Sequence, residues 1–412
     1  MSSAELTAKA EKKSKLKDIR FGKVSLFVDG GFDIIYMILV FLLLTIGLVM
    51  MFSASYVSAK YDIDTGYDPF YYIKKQALVA VAGVVLMFII SKINPAIFRA
   101  LTPAVAIIAT VLLLLVLIAP AKIDGKEEFK RWLLIPGINF QFQPSDVAKL
   151  ALIMGLAYLM ERYKKQLETV WWVALLFFGL VAAVCGLVIL EHHLSCTILL
   201  FLIGIAMLYL GGVDSKWFII GIIAAAVLAV AIFAFRDKLL DSYQAERIDS
   251  FLHKDYDDVN TRWQTNQSLF ALGSGGFFGL GLGNSVQKHM YIPEPQNDFI
   301  FAIVGEELGF LRSVIILLIF ALLVFRGFII ATRARNMFER LLVMGISLQI
   351  GLQTIMNILV VTDMMPNTGI SLPFFSFGGT ALLMQLVEMG MVLSVSRSEN
   401  RITKAAKKDA KS

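Results

Sequence analysis

Apolar runs at 34–55, 76–93, 100–119, 145–160, 169–190, 194–211, 216–235, 298–325, 340–362 and 374–395 alternate with polar, charged segments along the 412-residue chain. Each is near the ~20 residues that a helix needs to cross a bilayer. The alternating in-out pattern of a membrane β-barrel is absent. Within lipid, backbone polar groups must be satisfied inside the segment, so the runs are expected to be helices. The predicted fold is all-α: a polytopic membrane protein with ten transmembrane helices and a large extracytoplasmic loop, 236–297, between helices 7 and 8. Residues 1–33 and 397–412 are then basic cytoplasmic tails around a membrane domain at 34–396.

Composition agrees with this pattern. Hydrophobic residues make up 58% of the chain and charged residues 17%, with a mean hydropathy of +0.73. Soluble domains carry about 45–50% apolar residues. The net charge of +6 reflects membrane orientation rather than nucleic-acid binding. With the N-terminus in the cytoplasm, inner segments hold 23 Lys and Arg, and the longer outer segments hold 13. Both termini are therefore expected inside, with 120–143, 236–297 and 363–373 outside. The first apolar run is too long for a signal peptide, so no cleavable leader is expected. Cys185 and Cys196 both lie in apolar runs and read as buried small hydrophobes.

Ionisable groups inside spans are costly and mark candidate sites. In Gln143-Pro144-Ser145-Asp146-Val147-Ala148-Lys149, Pro144 reads as a helix start. Asp146 and Lys149 share a face at i, i+3 spacing, either as a self-neutralising ion pair or as a cation held for a phosphate beside Arg131 of the preceding loop. Asp298 opens the long apolar run at 298–325, as a helix cap or as a base. On a continuous helix Glu306 falls about 80° around from Asp298, and Glu307 about 180°. A third cluster, Met365 to Thr380, contains Thr368, Pro366, Pro373, Ser376, Gly378 and Gly379. It suits close helix packing or an anion site at a helix N-terminus. Gln353 and Asn357 are expected to hydrogen-bond within the bundle. His192 and His193 lack partners at zinc spacing and read as packing. The Gly-rich stretch Ser274 to Asn284 predicts tight turns or re-entrant packing. No nucleotide-binding or zinc-protease motif occurs.

In this order the clusters resemble the SEDS family (shape, elongation, division and sporulation proteins) of the FtsW and RodA type. The resemblance runs through residues 30–397. It rests on Gly47-Leu48, Phe52-Ser53-Ala54-Ser55, Arg131-Trp132, Gln143 to Asp146 with Lys149, and Gln267-Ser268. It continues through Gly281 to Lys288, Pro293, Asp298 to Ala302, Glu306 to Gly309, Pro366 to Gly369 and Leu372 to Gly379. The stretch Gly283-Asn284-Ser285-Val286-Gln287-Lys288 leans toward the division branch.

The resemblance implies a ten-span peptidoglycan glycosyltransferase acting on lipid II, a disaccharide-pentapeptide on undecaprenyl pyrophosphate. Asp298 matches the family's essential aspartate and Lys149 its cavity lysine. Asp146 stands where the family usually has Glu, and Arg312, which has no assigned role, stands where a small residue is usual. A carboxylate base activates the attacking sugar hydroxyl, and a fixed cation stabilises the departing pyrophosphate. Lys149 is the first choice for that cation, with Arg131, Arg262 and Lys288 as helpers and Gln267, Glu306, Thr368, Ser376, Gly378 and Gly379 as supporting residues. A divalent cation, Mg or Mn, could share the task, although the sequence shows no dedicated cage. The implied partners are a class B penicillin-binding protein and other division or elongation proteins, with no nucleic acid. The alternatives are a lipid-precursor flippase and a non-catalytic division scaffold.

Overall fold

The computed structural model describes residues 20–21, 24–28, 30–120, 131–135, 140–167, 170–219, 221 and 261–409. The helices are α1 (Ile34–Tyr61), α2 (Tyr71–Ile90), α3 (Pro95–Ile118), α4 (Pro144–Arg162), α5 (Trp171–Leu190), α6 (Leu194–Leu210), α7 (Thr261–Ser274), α8 (Ile300–Thr332), α9 (Met337–Val361) and α10 (Gly379–Asp409). Two short hairpins accompany them: β1 (Arg20–Phe21) with β2 (Val24–Ser25), and β3 (Leu133–Ile135) with β4 (Phe140–Phe142). Among the described residues, seven helices are long and apolar enough to cross a membrane. Of the other predicted spans, 145–160 forms α4, which carries Asp146, Lys149, Glu161 and Arg162. The span at 194–211 forms α6, which is 17 residues long. The predicted span 216–235 lies mostly outside the described residues, as do most of the predicted N-terminal tail and 236–260 of the large loop, while the predicted C-terminal tail is helical, as the end of α10, through Asp409.

Capping explains several boundaries. Asp33 accepts from the amide of Tyr36 at the start of α1, and Asn94 from that of Ala96 at the start of α3. Pro144 begins α4 at its first turn, where its missing N–H costs nothing. The central layer joins α8 to α9, α9 to α4, α10 to α2 and α3 to α4.

The chain's ends and turns sort into two groups. At one end, Arg326 holds Asp33 in a two-point contact, Arg397 donates to Gly30, and Arg335 reaches Ser398. At the other end, the segments before α4, between α5 and α6, before α8 and before α10 touch one another. That second group holds the candidate chemistry.

The apolar run expected to be one continuous helix from Asp298 is not continuous. Asp298 sits in a turn two residues before α8, and the helix is broken at Gly309 (φ 78°, ψ 177°). The earlier angular relation between Asp298 and the two glutamates therefore does not hold. At the break, the amides of Phe310 and Leu311 leave the helix and bond the carbonyls of Gly276 and Phe277. The carbonyls they abandon, of Glu306 and Glu307, accept from Leu280 and Gly281. The Gly-rich loop thus exchanges two hydrogen bonds for two with a broken membrane helix, which is how irregular backbone persists at membrane depth. Arg312 finds its role here, donating to the Phe278 carbonyl at 3.0 Å.

Candidate functional site

The loop ahead of α10 is the centre of the site, because it is bonded on both sides. On one side it holds the turn that carries Asp298. The Ser376 hydroxyl donates to the Asn297 carbonyl at 2.7 Å, and the Phe377 amide to the Gln296 carbonyl at 2.8 Å. From α9, Asn357 donates to the carbonyls of Asp298 and Ile370, both at 2.7 Å. Gln353, one turn away, donates to the Ser371 carbonyl at 2.9 Å. The expected bundle hydrogen bonds of Gln353 and Asn357 are therefore present. Asp298 itself is half-buried. The N-cap position of α8 is Phe299, one residue after Asp298.

On the other side the same loop meets α4. Thr380 donates to the Gln141 carbonyl and accepts from the Gln143 amide. Two helical turns further in, Lys149 pairs with Asp146 at 2.9 Å, both buried. Ser376 and Thr380 are four residues apart, at most about 14 Å even if fully extended. The turn bearing Asp298 and the helix bearing Lys149 thus border the same loop.

The Gly378 amide is taken by Gln76 at 3.3 Å, and Gly47 of α1 lies so close to the Phe374 carbonyl that any Cβ there would overlap it. Thr368 accepts from Ser195 through its carbonyl, while its own hydroxyl is buried without a partner.

A third side comes from the turn between α5 and α6. Arg131 donates to the His192 carbonyl, and His193 lies 3.3 Å from Gln143 and 3.4 Å from Ser145. Burial, then the nearby charges of Arg131 and Lys149, holds His193 well below its ordinary range. Glu191 is fully buried, and neither carboxyl oxygen has a hydrogen-bond partner. Burial pushes it up to about 8, against the opposing pull of Arg131.

Four further residues expected to support the site, Lys288, Glu306, Arg262 and Gln267, are packed or bonded as follows. Lys288 pairs with Glu307 at 2.8 Å, and both are buried. Glu307 also accepts from Ser53 of α1, and Glu306 accepts from the amide of Val286 and from Ser285. These groups fasten the Gly-rich loop to α8 and α1. Arg262 makes a two-point ion pair with Asp363, joining α7 to the loop after α9. Gln267 is buried on α7 next to Ser268, whose hydroxyl donates to the Val361 carbonyl.

Sequence reasoning passed over two residues. Glu191 ends an apolar run beside two histidines, which drew the attention instead. Glu388 lies within the apolar run at 374–395 and accepts from Gln349 at 2.8 Å. Its charge within that run was the available signal.

Comparison with known proteins places this arrangement. The family described as cell cycle protein, FtsW/RodA/SpoVE, matches residues 34–401. The chain belongs to this family. It is 34% identical over 370 residues to the probable peptidoglycan glycosyltransferase FtsW of Geobacter sp. (strain M18), covering 89% of this chain and 97% of that protein. It is 36% identical over 367 residues to stage V sporulation protein E of Bacillus subtilis (strain 168), with the same coverage of 89% and 97%. Among solved structures, it resembles a chain from work on polymerization and crosslinking by a peptidoglycan synthase complex. There the TM-score is 0.72 and the identity 26%, covering 89% of this chain and 98% of that one. RodA of Thermus thermophilus superposes with a TM-score of 0.63 at 25% identity, covering 89% and 97%. As a family member with seven apolar helices among its described residues, the chain is an integral membrane protein.

Proposed function

We propose that this protein is a peptidoglycan glycosyltransferase that polymerises lipid II on the outer face of the bacterial cytoplasmic membrane, with a septal, cell-division role. The observation that carries this reading is the placement of Asp298 and of the buried Lys149–Asp146 pair on either side of one bonded loop. Relatives of similar length bear the name peptidoglycan glycosyltransferase FtsW.

Asp298 acts as the general base, taking the proton of the sugar hydroxyl that attacks the anomeric carbon. Its main chain is fixed by Asn357 and Ser376, which limits the reorganisation needed at reaction. The new glycosidic bond forms as the bond to the diphosphate breaks, and Lys149 and Arg131 lie at the end where that negative charge would develop. A single displacement inverts the anomeric centre and needs no covalent enzyme intermediate. An apolar cavity of about 240 Å³ between α3, α4 and α5, lined in part by Ala148, Ala151 and Gly155, gives room for a lipid tail beside the helix that carries Lys149.

Among the described residues, no three His, Cys, Asp or Glu side chains converge as a metal cage. A class B penicillin-binding protein is the expected partner, consistent with the resemblance to a chain from a peptidoglycan synthase complex. Both termini and the end formed by Asp33, Arg326 and Arg397 then face the cytoplasm.

The test is to supply lipid II to the purified protein with its transpeptidase partner, with and without chelator. Glycan polymer supports the glycosyltransferase. Movement of lipid II across vesicles without polymer supports a flippase, and neither outcome supports a scaffold.

A further inference from the structure

The turn between α5 and α6 carries a group that the proposed reaction does not yet use. Glu191 has no exposed surface, and neither Oε1 nor Oε2 has a hydrogen-bond partner. An ionised carboxylate in that position would be desolvated without a compensating bond, which is strongly unfavourable. A neutral carboxylic acid avoids the charge but leaves an O–H donor unused. Buried polar groups are almost always paired, and a bound group could supply the acceptor that this O–H lacks within the chain.

The surroundings define that partner. Among the described residues, the charged and titratable groups around this turn are Arg131 ahead of β3, His192 and His193 in the turn itself, Cys196 in the first turn of α6, and Asp146 and Lys149 on α4. Two of these are cations, and Lys149 already shares its charge with Asp146. An acceptor that suits both the cations and an acid O–H is a phosphate oxygen.

We propose that Glu191, as a neutral carboxylic acid, donates a hydrogen bond to the diphosphate of the lipid-linked substrate, so that the site binds the diphosphate when this group is protonated and rejects it when it is ionised. This rests on the glycosyltransferase reading above and adds a ligand contact to it. An elevated proton affinity, set by burial, places the switch on the alkaline side of neutrality. Loss of that proton would put an unpaired negative charge near the Lys149–Asp146 pair and against the incoming phosphate.

The experiment uses the full-length protein in nanodiscs. Binding of a polyprenyl diphosphate is measured at pH 7 and pH 9.5 for the parent, Glu191→Gln and Glu191→Leu, with neutral polyprenol as the control ligand. Monodispersity and melting are recorded for each variant at both pH values. The parent is expected to lose roughly thirty-fold in affinity between the two pH values, as one ionisation near 8 requires. In Glu191→Gln, whose amide can donate but not ionise, the ratio of affinities falls close to one. In Glu191→Leu binding is weak at both. The proposal is overturned if Glu191→Gln keeps the parent's alkaline loss, since Lys149 or Cys196 would then govern it, or if Glu191→Leu binds as tightly as the parent at pH 7. A parent that binds diphosphate no better than polyprenol at either pH removes the diphosphate site itself, and with it the wider reading.

Discussion

Ser376 donates its hydroxyl to the carbonyl of Asn297 at 2.7 Å, one residue before Asp298, and accepts from the buried amide of Leu372 at 2.7 Å. One side chain thus ties the loop ahead of α10 to the turn that presents the proposed base. Ser376→Ala leaves a buried amide and a carbonyl without this partner, a cost of about 1–3 kcal/mol. If part of that cost falls on the placement of Asp298, polymerisation drops roughly ten-fold, the equivalent of about 1.4 kcal/mol. Ser376→Thr, which keeps the hydroxyl, should recover part of the rate. Glycan yield per unit of folded protein is the measurement.

Lys288 and Glu307 form a buried pair that fastens the Gly-rich loop to α8. Removing one partner strands the other charge, at about 3–5 kcal/mol. Lys288→Met is therefore expected to lower the melting temperature in detergent sharply. The double variant Lys288→Met, Glu307→Gln should lose less than the sum of the two single losses. Additive losses would show that the two side chains do not act as a pair.

Gly279 adopts φ +82°, and a Cβ there would overlap the backbone of Glu307 and Leu308. Gly279→Ala is expected to break the exchange of hydrogen bonds at Gly309, with a loss of a few kcal/mol or failure to fold. Gly273, where a Cβ meets nothing within 4 Å, provides the control. Gly273→Ala should melt within a degree or two of the parent.

Several of these features were legible in the sequence, and others were not, for physical reasons. Pro144 marks the start of α4, and the spacing of Asp146 and Lys149 places them on one face, because both facts are local. The hydrogen-bonding roles of Gln353 and Asn357 follow from amides within an apolar run. The break at Gly309 is different. Its carbonyls and amides are satisfied by residues 276–281, about thirty positions away, and no periodicity reveals such a pairing. For the same reason Glu306 and Lys288 read as site residues, although their partners fasten a loop. Arg312, which had no role in the sequence, has one only because Phe278 comes back to it.

The buried carboxyl of Glu191 also affects stability. Burial raises its proton affinity in the folded protein to about 8, above the ordinary glutamate value of 4.5. Between those values the unfolded chain has lost the proton and the folded protein retains it. The folded state then binds more protons, so stability falls as pH rises through that window, by up to about 1.4 kcal/mol per pH unit. This contribution is fully present below about 4.5 and lost above about 8. Glu191→Gln should flatten that decline in melting temperature between pH 6 and 8. An unchanged slope would assign the decline to other groups.

The most direct test of the central claim is polymer formation by Asp298→Asn. The parent and the variant are purified with the transpeptidase partner, shown to melt alike and to bind the partner alike, and supplied with lipid II in detergent. Asn keeps the shape of the side chain but cannot take up the hydroxyl proton. Glycan polymer from the parent and none from Asp298→Asn is the predicted result. Polymer from Asp298→Asn at the parent's rate would contradict the assignment of Asp298 as the base.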